Sequence, residues 1–136
     1  MTRYMLDTNV CVELLRGRAA GVFGRLRRRR IDEAGISSIT LAELQYGAAR
    51  SARPAYHQTL LAEFCAPLAI LPFDSVAAES CGRLRADLER RRVPIGPLDT
   101  LIASHALSLG VTVVTGNVGE FRRVPGLRVE NWLRRR

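Results

Sequence analysis

Four short apolar segments, "RYML" (3–6), "AGISS" (34–38), "LAILPF" (68–73) and "VTVVT" (111–115), are each followed by a stretch with helical spacing. This alternation limits the fold more than any other feature of the chain. Strands that are apolar along their whole length, rather than at every second residue, belong to sheets covered on both faces. Helices between them supply the crossovers that parallel strands need. Helical stretches fall at "NVCVELLR" (9–16), 19–30, "TLAELQYGAAR" (40–50), from Pro54, at 75–92 and at "GPLDTLIASHALSLG" (96–110). The stretch from Pro54 carries Leu60, Leu61, Phe64 and Cys65 on one face, and the helix at 96–110 has Pro97 near its start and Gly110 at its end. "LRVENW" (127–132) reads as a last strand. The pattern predicts one domain over 1–136, a three-layer α/β/α fold with four or five mostly parallel strands.

In such folds, sites form beyond the carboxyl ends of the strands. That rule selects four of the thirteen acids: Asp7 after the first strand, Glu43 in the helix after "AGISS", Asp99 at a helix entry, and Glu120 just past "VTVVT". Each has a plain structural alternative. Thr40 and Glu43 match a capping box. Asp99, and Asp7 or Asn9, are natural helix caps. Glu120 is compatible with ordinary surface charge. Gathered together, the four would repel one another and raise each other's pKa values unless a cation joined them. Mg²⁺ or Mn²⁺ suits such hard oxygen ligands and leaves positions open for phosphate oxygens. The chemistry implied is metal-assisted phosphodiester hydrolysis.

Charge and composition are compatible with this. The net charge is +8, and all 21 basic residues are arginine. That balance favours a polyanionic partner such as RNA or DNA. It also fits a surface whose only cation is arginine, and the run Arg25 to Arg30, with Arg27 to Arg30 as its tip, decides nothing alone. A non-catalytic basic binding module, whose acids only cap helices, is the second reading. Against it, the Arg-rich runs are not interleaved with aromatics, and the chain has only one Trp, three Tyr and four Phe. A phosphoryl-transfer domain ranks third, because Asn9 stands where one type needs a second aspartate. His57 and His105 have no catalytic partner in sequence, and no GxxxxGK[ST] or GxGxxG phosphate cradle occurs. Cys11, Cys65 and Cys81 lack zinc or disulfide spacing. No apolar run approaches the length of a membrane span, and "MTRYMLDTN" lacks the longer apolar core expected of a signal peptide. A cytoplasmic location is the expectation.

"MLDTN", "SSITLAELQYGA", "GPLDTLIASHALSLG" and "VTGNVGEFRRVPGLRVENW" together resemble the motifs of the PIN-domain ribonucleases, and more narrowly the VapC toxins of type II toxin–antitoxin systems. The likeness runs in order through residues 3–133. It implies a PIN fold and a Mg²⁺- or Mn²⁺-dependent endoribonuclease. By that resemblance Asp7 and Asp99 are the principal metal ligands, Glu43 completes the acidic set, and Glu120 stands in the place of the fourth acid. Asn117 falls in the polar turn that orients the site. The "GP" before "LDTLIA" resembles the branch that cuts initiator tRNA in its anticodon loop. The resemblance further implies a homodimer and a small VapB-type antitoxin that blocks the site.

Overall fold

A computed structural model of the chain describes residues 1–17, 24, 28 and 31–133. Five strands are seen: β1 (Tyr4–Leu6), β2 (Ala34–Ser37), β3 (Ala69–Leu71), β4 (Thr112–Val114) and β5 (Val129–Glu130). They form one sheet in the order β3-β2-β1-β4-β5, and every pair is parallel. Helices α1 (Thr8–Leu15), α2 (Ser38–Ala49), α3 (Pro54–Cys65), α4 (Ser75–Arg90), α5 (Pro97–Leu109) and the short α6 (Val118–Phe121) connect them. Of the helix expected over 19–30 and its arginine run, all but Gly24 and Arg28 lie outside the described residues.

Alternation along the central strand divides the interior in two. Tyr4 and Leu6 of β1 face a core with Val10 and Cys11 of α1, Leu44 of α2, Leu61 of α3 and Trp132. Met5 faces the opposite core, with Leu84 and Leu88 of α4, Ile102 and Ala106 of α5, and Phe121 of α6. Both faces of the sheet are thus covered, as the continuous apolar strands required. Gly35 in β2 is fixed by close approach, since a Cβ there would stand 2.9 Å from the Ala69 carbonyl oxygen of β3. Among the described residues, no helix is long and apolar enough to cross a membrane.

Two boundaries differ from the sequence reading in ways that matter for the site. Helix α2 starts two residues earlier than expected, and its N-cap is Ser37, whose Oγ accepts from the Ile39 N–H at 3.0 Å. Thr40 and Glu43 therefore lie inside the helix and form no capping box. Helix α5 has Gly96 as N-cap with no side-chain cap, so Asp99, in its first turn, does not cap it either. The outer strands are shorter than expected. Pro72 cannot donate to the ladder and ends β3, while β5 keeps two residues before the chain turns to bury Trp132.

Candidate active site

The strand order reverses beside β1. From there the chain steps outward through β2 and β3, then returns to the other side of β1 for β4 and β5. In an open parallel sheet, this switch point leaves a crevice beyond the carboxyl ends of the two central strands. Asp7 follows β1 and Thr115 follows β4, so both stand at its mouth. The Asp7 N–H donates to the Val114 carbonyl at 3.0 Å, and the Thr115 hydroxyl donates to Asp7 Oδ2. Asp7 Oδ1 accepts from the Val10 N–H at 2.9 Å, which makes Asp7 the N-cap of α1. The cap and site readings of Asp7 are therefore compatible. Burial pushes its carboxyl above the ordinary value, and its hydrogen-bond donors oppose that rise.

Asn117 ties the other two acids to this point. Its backbone N–H donates to Thr115 Oγ1 at 2.8 Å. Its side-chain amide donates to Asp99 Oδ2 at 3.1 Å and to Glu120 Oε2. Glu120 Oε1 in turn accepts from the Gly96 N–H at 3.0 Å. Glu120 thus satisfies the open amino end of α5, the helix that carries Asp99, from 24 residues away in sequence. One connected set of hydrogen bonds holds Asp7, Asp99 and Glu120 at the carboxyl ends of β1 and β4.

The charges in this set oppose one another. Asp99 is pushed up to about 6, first by burial and then by its carboxylate neighbours Glu120 and Asp7. Glu120 is held below its ordinary value by the Asn117 amide and the Gly96 N–H. A buried aspartate beside two further carboxylates is a donor set of hard oxygens short of positive charge, which fits Mg²⁺ or Mn²⁺. Among the described residues, no three His, Cys, Asp or Glu side chains stand ready as a metal cage. Mg²⁺ does not need one, since it takes one or two carboxylates and keeps several waters.

Glu43 is set apart from the other acids. It is half-buried on α2, and among the described residues no hydrogen bond joins it to Asp7, Asp99 or Glu120. Its helix is nonetheless docked on the site, because the Thr8 hydroxyl, next to Asp7, donates to Thr40 Oγ1 at 3.2 Å. Glu43 lies one turn beyond Thr40 on the same face. The histidines belong to the scaffold. His105 Nδ1 pairs with Ser37 Oγ at 2.9 Å, and His57 Nδ1 with Ser51 Oγ at 3.0 Å. Thr115 is the site residue that sequence reasoning missed. A threonine closing a β-branched strand carries no local sign that its hydroxyl faces a buried carboxylate.

Comparison with known proteins identifies the family and the fold. The PIN domain pattern matches residues 4–127, and the chain belongs to the PIN-domain family, in its VapC branch. It is 41% identical over 132 residues to the tRNA(fMet)-specific endonuclease VapC of Shigella flexneri, covering 97% of this chain and 99% of that protein. It is 41% identical over 130 residues to Ribonuclease VapC2 of Rickettsia felis, covering 95% and 97%. Its fold superposes on a crystal structure of DNA-bound VapBC from Salmonella typhimurium with a TM-score of 0.92, at 41% identity, covering 97% of this chain and 99% of that one.

Proposed function

We propose that this chain is a divalent-metal-dependent endoribonuclease, the toxin of a toxin–antitoxin pair, and that it cuts initiator tRNA in the anticodon loop. The observation that carries the reading is the Thr115–Asn117 network, which brings three carboxylates to the switch point of the sheet. Caps alone do not account for it, because Asp99 and Glu43 cap nothing. The Shigella flexneri relative, named for tRNA(fMet), supports the substrate, and the VapBC structure supports a VapB-type antitoxin as partner. A homodimer of single PIN domains, working in the cytoplasm, belongs to the same reading.

Asp7 and Asp99 would hold the Mg²⁺ or Mn²⁺ ion, with Glu43 completing the acidic set from α2. When bound, the ion supplies a Lewis acid that polarises the scissile phosphate and makes a water more acidic. The protein's own part is positioning. Thr115 fixes one oxygen of Asp7, and the cap to Val10 fixes the other. Asn117 sets the distance between Asp99 and Glu120, and Glu120 anchors the start of α5. Splayed loop nucleotides present a phosphate to such a crevice, whereas a packed A-form stem does not.

The test is to incubate the purified protein with total tRNA and Mg²⁺ or Mn²⁺, then map the new RNA ends. One dominant cut in the initiator anticodon loop, abolished by EDTA, is the expected result. Cuts spread over many RNAs would remove the substrate assignment, and cleavage that persists in EDTA would remove the metal-dependent mechanism.

A further inference from the structure

Two groups of arginines in the described structure contrast with each other. On α4 and just after it, Arg83, Arg85, Arg90 and Arg91 each lie 2.8–3.7 Å from Glu79, Glu89 or Asp87 of the same segment. Their charge is balanced locally, and they fit a solvated helix face. At the turn between α2 and α3 the pattern differs. Residues 44–62 contain Arg50, Arg53, Tyr46, Tyr56 and His57 and no acid at all. Here the arginines pair with rings. The Arg50 guanidinium lies 5.6 Å from the centre of the Tyr46 ring, and that of Arg53 lies 4.1 Å from the centre of Tyr56. His57 meets Tyr56 edge-on at 5.2 Å, and its Nδ1 is held by Ser51 Oγ and the Arg53 carbonyl.

Both tyrosines face water, Tyr46 at 61% exposure and Tyr56 at 47%. The cluster also leads toward the acids. Glu43, Tyr46 and Arg50 recur at i, i+3 and i+7 and so share a face of α2, with about 10 Å of helix axis from Glu43 to Arg50. A groove of about 620 Å³ runs from Tyr56 and His57 to Glu43, with Arg16 and Ser51 at its polar side and a floor of apolar side chains from α1, α2 and α3.

We propose that the Tyr46–Arg50 and Tyr56–Arg53 pairs form a platform that positions substrate RNA, with unstacked bases resting on the tyrosines and phosphates meeting the guanidiniums. This deepens the ribonuclease reading and rests on it for the identity of the RNA. The chemistry fits the ligand on three counts. Exposed rings offer every base a π-face. The Arg50 and Arg53 guanidiniums, which pair with no carboxylate among the described residues, are available to phosphates. An acid-free stretch of 19 residues, 44–62, repels no part of a polyanion.

The experiment measures equilibrium binding of initiator tRNA in EDTA at several salt concentrations, together with KM and kcat in Mn²⁺. Replacing both tyrosines by leucine (Tyr46→Leu, Tyr56→Leu) keeps apolar bulk and removes the π-faces. Binding should weaken about tenfold or more, with KM rising and kcat within about twofold. The double change to phenylalanine should restore most of the affinity. Replacing Arg50 and Arg53 by glutamine should lower the slope of log K against log salt by about 1.5–2. Leucine and glutamine variants that bind tRNA as the wild type does, with an unchanged salt slope, would overturn the proposal and leave the nuclease standing. Phenylalanine binding as weakly as leucine would overturn the stacking. Weakened antitoxin binding with tRNA binding intact would overturn it in favour of a protein partner. A wild-type protein that binds tRNA through these residues but never cuts it would instead sink the ribonuclease reading.

Discussion

Asp99→Asn separates the chemistry of the site from its stability. The Asp99 carboxyl is moved from 3.8 to about 6 by burial and by the neighbouring carboxylates. Each tenfold step is about 1.4 kcal/mol, so the ionised form is disfavoured by about 3 kcal/mol at neutral pH. Asp99 is partly open to solvent, and screening reduces this to about 1–2 kcal/mol. The sign follows from linkage. The folded protein holds this proton more tightly than the unfolded chain does. Asp99 therefore destabilises the metal-free fold above pH ~6, and the penalty fades as pH falls toward ~4. Asparagine carries no charge, and its Oδ1 can still accept from the Asn117 amide.

In EDTA at pH 7.5, Asp99→Asn should melt about 3–8 °C above the wild type. At pH 4 the two should melt together. Adding Mn²⁺ should raise the wild-type Tm, because a ligand that binds only the folded state stabilises it by mass action. The variant should show no such rise and no RNA cleavage. Differential scanning calorimetry with and without metal reads the stability, and a gel assay reads the activity. A variant less stable than wild type in EDTA at pH 7.5, or one stabilised equally by Mn²⁺, would refute the crowded-carboxylate account.

Three further outcomes follow from the same hydrogen bonds. Thr115→Val deprives the buried Asp7 carboxylate of its hydroxyl donor, and urea titration should show a loss of about 1–3 kcal/mol; unchanged stability would mean that the hydroxyl is dispensable. Asn117→Ala releases both Asp99 and Glu120, so calorimetric Mn²⁺ titration should give about 10–100-fold weaker binding, and an unaltered Kd would remove Asn117 from the site. Because Asp99 takes a proton near pH 6, metal affinity in the wild type should be flat above that value and fall up to about tenfold per pH unit below it; affinity constant from pH 7 to 5 would contradict this.

Much of the fold was legible because it depends on local pattern. Continuous apolar strands announced a doubly covered sheet, and Pro97 and Gly110 bracketed α5. What stayed hidden depends on partners distant in sequence. Thr40 and Glu43 look like a capping box, but Ser37 ends β2 opposite Leu71 and is already turned to start the helix. The four-residue signature therefore falls a turn too late. Glu120 looks like surface charge until its contact with Gly96 is seen, across 24 residues. The pairing of Arg50 and Arg53 with rings rather than acids is equally invisible, since linear runs draw the eye to Arg25–Arg30.

The site acids differ in how far they also serve the fold, and that bears on how function can be probed. Asp7 caps α1 and receives the Thr115 hydroxyl inside the core, so replacing it alters a helix end and a buried hydrogen bond along with any ligand. Glu120 closes the start of α5, so its loss also loosens the helix that presents Asp99. Asp99 accepts from the Asn117 amide and caps nothing, yet burial and its carboxylate neighbours push it up to about 6. A carboxylate kept where it costs stability and closes no helix end needs a reason outside folding. The chemistry of the crevice supplies one, which makes Asp99 the acid whose substitution reports most directly on the reaction.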